Sequence, residues 1–172
     1  MAIECLLIGN KIIVDNSTLK GQLVQSGFGE SKGRTLILDL YETVFLLLKE
    51  KILVIDSKGK EMKAKDLLAL SLKKDKEFYS KLLVYSDIRE KGFSIKTGLK
   101  FGFDFRVYPK GKKMGQAHSK FVIKVADEND KLSMPEISGI SRLSGNLHTQ
   151  AVLAVVDAEN YISYYSIERT QF

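Results

Sequence analysis

The sequence predicts an α+β protein: a small N-terminal α/β domain over 1–75, then a C-terminal domain built on a mixed sheet over 76–172. Three observations predict it. Short runs rich in Ile, Val, Phe and Tyr are bounded by Gly, Asn or Asp turns, which is the strand signature. Between them lie stretches whose apolar residues recur at helical spacing. The two kinds of segment are mixed along the chain, with no repeat, low-complexity tract or flexible linker. With 172 residues and 44% of them apolar, the chain can bury a real core in one large or two small domains.

The elements follow in order. Residues 3–8 and 11–14 read as a hairpin around Gly9-Asn10, a favourable turn pair. Ser17 is placed as the cap of a short helix that stops at Gly27. Gly27, Gly29 and Gly33 make the next segment a loop, and Leu36, Leu40, Val44, Leu47 and Leu48 predict a helix from Arg34 to Lys49. A strand over 52–56 turns at 57–60, and Leu67, Leu68 and Leu70 mark another short helix. The second half opens with a helix from Lys76 to Lys91, closed by Gly92, whose inward face holds Phe78, Leu82, Leu83, Tyr85 and Ile88. Strands are predicted over 93–97, 103–108 and 120–125. Ser133 with Glu136 forms a capping box, with Pro135 in the first turn, and opens a helix to about Leu147. Closing strands over 151–157 and 161–167 flank the short acidic turn AENY.

Charge and composition narrow the function. The chain carries a formal +6, and residues 91–124 hold nine Lys or Arg against the single acid Asp104. Such a block attracts polyanions, for which phosphate contacts supply much of the affinity. A solvated basic face is the bland alternative. One cysteine, Cys5, excludes an internal disulfide, and its apolar setting IECLLI predicts a buried thiol. Two histidines and no ligand-spaced Cys or Asp cluster argue against a protein-held metal, and no cofactor is expected. No export signal or membrane-length apolar run is visible, so a cytoplasmic protein with no membrane partner is expected.

The most telling segment is KTGLKFGFDFRVYPKGKKMGQAH, residues 96–118. Phe103, Phe105 and Val107 alternate with Asp104, Arg106 and Tyr108, so Arg106 and Tyr108 share the more polar, exposed face of a strand. His118 follows Tyr108 by ten residues, across a loop carrying Lys110, Lys112 and Lys113. RNA brings its own nucleophile, the 2′-hydroxyl. In-line attack then needs a base for the 2′ proton, an acid for the departing 5′ oxygen and a cation for the phosphorane. Histidine suits the acid role, and a tyrosine can serve as base where cations lower its pKa, as the nearby lysines are expected to do. The alternatives are a packed aromatic at a strand end and an idle loop histidine.

These residues, with VYSDIREKGF (84–93), IKTGLKFGFDFRVY (95–108), AHS (117–119), EISGISRL (136–143), LAVVD (153–157) and ISYY (162–165), resemble the archaeal tRNA-intron endonuclease family. The resemblance covers residues 76–168 well and the first half by element order. It implies a nuclease-like C-terminal domain and a metal-independent cut of precursor tRNA at a bulge-helix-bulge element, leaving a 2′,3′-cyclic phosphate and a 5′-hydroxyl. By position, it places the base on Tyr108 and the acid on His118. The family's third catalytic group, a lysine after a helix reading like RVAHSVRKK, falls on Thr149 in RLSGNLHTQ (142–150), and threonine carries no charge. Lys100, Arg106, Lys110, Lys112, Lys113 and Arg142 are the implied RNA contacts, Arg142 as the cation that stacks on a bulged base. Assembly is implied through an acidic loop, Asp157 and Glu159, that enters a basic pocket of another subunit. The tyrosine-rich closing strand, with Tyr161, Tyr164 and Tyr165, would pair edge to edge.

The missing lysine makes a structural or assembly subunit the leading expectation, paired with a paralogous endonuclease subunit that carries the lysine, in a dimer of heterodimers. The alternatives are an active chain whose cation comes from elsewhere, Lys120 or a partner's lysine, and an RNA-binding module that does not cleave.

Overall fold

The computed structural model describes residues 3–98 and 102–170. The chain divides into two compact units, Met1–Leu82 and Leu83–Phe172.

The first unit is a six-stranded mixed sheet with helices. Its strands are β1 (Ile3–Ile8), β2 (Lys11–Val14), β3 (Glu30–Lys32), β4 (Thr35–Leu38), β5 (Ile52–Ile55) and β6 (Glu61–Met62), in the order β3-β4-β2-β1-β5-β6. Only β1 and β5 run parallel among the neighbours, with Cys5 opposite Val54. The β1–β2 hairpin turns at Gly9, whose φ of 62° is one that glycine adopts without steric cost. Helix α1 (Ser17–Gln25) is capped one residue earlier than expected. Asn16, rather than Ser17, accepts the Leu19 amide at 3.0 Å.

The larger correction concerns residues 30–39. A helix was expected from Arg34, yet Thr35–Leu38 is a strand hairpinned to β3, and α2 (Leu40–Leu48) starts only after Asp39. Asp39 accepts the Glu42 amide at 2.8 Å, and Glu42 returns a carboxylate oxygen to the Asp39 amide at 3.1 Å. That reciprocal cap fixes where the helix begins. The other Glu42 oxygen accepts the Gly29 amide at 2.9 Å, which lets a carboxylate sit buried. Helix α3 (Ala64–Leu72) packs against α2.

The second unit is built on a five-stranded sheet, β7 (Ser94–Thr97), β8 (Phe105–Tyr108), β9 (Phe121–Asp127), β10 (Gln150–Val156) and β11 (Ile162–Ile167), in the order β11-β10-β9-β8-β7. Neighbours are antiparallel except β9 and β10. Helix α4 (Phe78–Glu90) enters the unit and ends before Gly92, at φ 86°. Helix α5 (Met134–Asn146) starts at the predicted Ser133–Glu136 capping box and packs against β10 and β11. On that face Phe103, Val122, Ile140 and Ala151 form a buried cluster, joined by Leu147 and Ile167. A buried Leu, Ile, Val or Phe contributes about 1.5–3 kcal/mol, so this cluster is enough to seat α5. Asp104 is also buried, against expectation for a polar face: its carboxylate accepts the Val125 amide at 2.8 Å and pairs with Lys124 at 3.5 Å. No helix among the described residues is long and apolar enough to cross a membrane.

Candidate active site

Sheet register builds the site. Arg106 stands opposite Val122 on β9 and Lys96 on β7, and Tyr108 stands opposite Ser94. Cross-strand partners share a face, so Arg106 and Tyr108 lie on the α5 side of the sheet, where Val122 is part of the core. Beyond Tyr108 the chain leaves the sheet through turns at Gly111 and Gly115, with φ of 73° and 89°, and Met114 bridges Ala117. The strand resumes where the Lys120 amide donates to the Val107 carbonyl at 2.7 Å. This excursion folds His118 back over the end of β8. Arg106, Tyr108, Gly115, Ala117, His118, Ser119 and Leu147 line one cavity of about 260 Å³. A water in the liquid takes about 30 Å³, so a phosphodiester group fits.

Tyr108 departs from expectation. It was placed on an exposed face, and it is 3% exposed. Burial wins because β7 flanks it and the loop residues Gly115, Ala117, His118 and Ser119, with Leu147, close around the same cavity. The phenol pKa is raised, by burial first, with the Arg106 charge pulling it part of the way back. The lysines expected to lower it are not the cause of any shift. His118 is exposed, and Arg106 is half-buried with its Nη2 donating to Met114 Sδ at 3.7 Å.

Thr149 sits in the junction between α5 and β10. Its amide donates to the Ser144 carbonyl at 3.0 Å, and among the described residues its buried Oγ1 has no hydrogen-bond partner. It is not among the residues that line the cavity, although Leu147, two positions earlier, is. Lys120 is exposed, with its Nζ 5.1 Å from the Phe121 ring centroid rather than in the cavity.

The expected RNA contacts divide. Lys100 lies outside the described residues. Lys110, Lys112 and Lys113 ride the loop that carries His118, with Lys110 Nζ 5.1 Å from the Phe93 ring centroid. Arg142 is exposed on α5 and lines a different, open cavity with Ser138, Ser141 and Arg169. The structure does not bring Arg142 to the Tyr108 cavity. Arg169 went unremarked in the sequence, where a lone terminal arginine gives no signal.

The expected assembly residues lie at the far edge of the sheet. β11 is an edge strand and mostly exposed, with Tyr165 at 55% and Tyr161, just before the strand, at 70%. Tyr164 is engaged within its own unit: its hydroxyl donates to Asp87 at 2.6 Å, and Lys91 both pairs with Asp87 and lies over the Tyr164 ring. Asp157 is likewise committed, accepting the Glu159 and Tyr161 amides at 2.9 Å each, so it builds the turn that displays Glu159. Asp87 gives no signal in the sequence because Lys91, one turn on, reads as an ordinary helix ion pair and Tyr164 lies 77 positions away.

Comparison with known proteins supplies the family. The profile of the tRNA intron endonuclease catalytic C-terminal domain matches residues 78–164, and that of the N-terminal domain matches residues 3–68. Chains named tRNA-splicing endonuclease align almost end to end. That of Pyrococcus furiosus is 38% identical over 99% of this chain and 98% of its own length. Those of Thermococcus kodakarensis and Methanococcus vannielii are 32% and 30% identical over 96% of this chain, and over 97% and 93% of their own lengths. Among solved structures, the Holliday junction resolvase Hjc of Archaeoglobus fulgidus is similar at a TM-score of 0.40 and 19% identity, over 57% of this chain and 79% of that one, too slight a likeness to argue from. Two consecutive domain matches and full-length relatives agree with the motif-level resemblance, and this chain belongs to the tRNA intron endonuclease family.

Proposed function

We propose that this chain is a subunit of an endonuclease that cuts precursor tRNA at bulge-helix-bulge junctions, without a metal, leaving a 2′,3′-cyclic phosphate and a 5′-hydroxyl. One observation carries the reading: Tyr108 and His118, ten residues apart, line a single cavity of about 260 Å³ beside a lysine-bearing loop. The 2′-oxygen attacks phosphorus as its proton passes to Tyr108. The P–O5′ bond breaks as His118 gives a proton to the 5′ oxygen. Lys110, Lys112 and Lys113 hold the RNA backbone.

Within the assembly, the chain serves first as a structural subunit. Thr149 holds the position of the family lysine, so in this first reading the Tyr108–His118 pair lacks its cation, and the chemistry runs in a paralogous subunit that brings the complete catalytic set, in a dimer of heterodimers. Glu159, displayed by the Asp157 turn, enters the partner, and the open edge of β11 offers unpaired backbone to a second strand. A second reading, an active chain with an unorthodox cation, is favoured by Arg106 on the wall of the same cavity.

The test is cleavage of a bulge-helix-bulge RNA in EDTA by the chain alone and by the chain co-expressed with lysine-bearing paralogues. Cyclic-phosphate product only from the mixed assembly supports the structural reading. Product from the chain alone supports the second. Tight, salt-sensitive binding with no product from any assembly leaves an RNA-binding module and overturns both.

A further inference from the structure

We propose that Arg106 is this chain's own catalytic cation, donating hydrogen bonds to the non-bridging oxygens of the scissile phosphate in place of the lysine that position 149 lacks. The assignment rests on the second reading above and names the group which that reading requires.

Arg106 is in the right place. Among the described residues that line the cavity, its guanidinium is the one permanently charged cation. Strand alternation puts it on the face that carries Tyr108, two residues on, and its charge is felt there as the influence opposing Tyr108 burial. Its contact with Met114 Sδ ties the guanidinium to the loop that delivers His118. One side chain thus lines the cavity with Tyr108 and His118 and contacts the loop that carries the latter. The other candidate cations are elsewhere. Lys120 stands over Phe121, Lys110 over Phe93 and Arg142 on a separate cavity, and buried Lys96, opposite Arg106 in register, is not part of the cavity wall.

Arg106 also suits the chemistry. When the 2′ oxygen bonds to phosphorus, negative charge grows on the two non-bridging oxygens before the P–O5′ bond breaks. A guanidinium presents a planar fork of donors that matches two such oxygens, and it stays protonated throughout. Tyr108 receives the 2′ proton, His118 gives one to the 5′ oxygen, and Arg106 exchanges none, so the proton balance of the two-residue mechanism is unchanged. Fixed charge aimed at developing charge is commonly the largest single contribution in such sites.

The experiment is single-turnover cleavage of a bulge-helix-bulge RNA in EDTA by the full chain, as wild type, R106Q, R106K, T149K and the R106Q/T149K double variant. Each is also measured for RNA affinity and melting temperature. The expected result is a loss of about 10²–10³ in the cleavage rate for R106Q, with affinity and melting little changed. R106K should recover part of the loss, and Thr149→Lys should restore cleavage to R106Q by returning a cation to the family position. A merely structural Arg106 would lower melting and would not be rescued by a charge introduced on another element. Wild-type cleavage undiminished in R106Q overturns the assignment, as does a wild type that is inactive alone while T149K or an assembly with a lysine-bearing paralogue cleaves. In both cases the bulge-helix-bulge reading stands. If no variant cleaves, alone or with a lysine-bearing paralogue, that reading falls and takes this one with it.

Discussion

Tyr108 and Tyr164 are the same side chain in the same sheet, set beside charges of opposite sign. Burial raises the phenol pKa at both. At Tyr108 the next influence is the Arg106 charge, which favours the phenolate and offsets part of the burial effect. At Tyr164 the next influence is Asp87, which accepts the hydroxyl proton and penalises phenolate beside a carboxylate. The first phenol faces a cavity with a histidine on its wall. The second ties an edge strand to α4, with Lys91 closing the cluster. A tyrosine becomes a candidate base through the sign of its nearest charge, and a strap when that sign is reversed.

The largest expected effect breaks the comparison at the cavity. In an assembly that cleaves, Tyr108→Phe should lower the cleavage rate by about 10²–10⁴, the usual worth of a positioned acid or base, while Tyr164→Phe should leave it within a few-fold. Equal losses in the two variants, read by single-turnover cleavage, would show that Tyr108 acts through packing.

A pH profile sharpens the same point. On the proposed mechanism Tyr108 acts as the phenolate, so the phenolate fraction stops growing only once the phenol has titrated. Because burial raises the Tyr108 pKa, with the Arg106 charge opposing, the alkaline edge of the rate profile should lie above the ordinary phenol range near 10. Arg106→Gln removes the one opposing charge, so the alkaline edge should move higher still. An edge below about 9 would count against Tyr108 as the base.

At Tyr164 the expected effect is on stability. Tyr164→Phe removes a hydrogen bond to a charged acceptor and should cost roughly 1 kcal/mol, discounted because the ring is 39% exposed, as read by chemical denaturation. Burial opposes ionisation of Asp87, but hydrogen bonds from Lys91 and Tyr164 outweigh it, so its pKa is lowered. The cluster therefore stabilises the fold fully above the ordinary carboxylate range near 4 and loses its contribution as pH falls through the lowered folded value. Tyr164→Phe should accordingly flatten the acid side of the stability curve; an unchanged acid limb would mean that the strap contributes nothing.

The smallest effect separates the two acids of the closing turn. Asp157→Ala leaves the Glu159 and Tyr161 amides without their acceptor and should cost about 0.5–1.5 kcal/mol. Glu159→Lys, on an exposed side chain, should leave the melting curve within about 0.5 kcal/mol of wild type and yet shrink the assembled species in a size measurement. Assembly unaffected by Glu159→Lys would leave the β11 edge as the interface.

The sequence by itself determined a good deal. The Gly9 hairpin, the Ser133–Glu136 capping box, the sharing of one face by Arg106 and Tyr108 and the Tyr108–His118 spacing all rest on neighbours within a few residues, or on a motif that needs no partner to be read. The α+β class and the family were legible for the same reason. Tertiary structure decided the rest. Thr35–Leu38 became a strand because β2 and β3 pair with it, overriding a helical spacing of leucines. Tyr108 is buried because of what flanks and covers β8, and a strand's own alternation does not say how deeply either face is covered. Arg106 belongs to the cavity with His118 because a loop folds back across the end of the strand, whereas Arg142 stays apart on α5. Asp87 finds Tyr164 across 77 positions of chain. Local rules set each segment's shape, but burial and charge neighbourhood are properties of what packs against it, and those alone set a phenol's role.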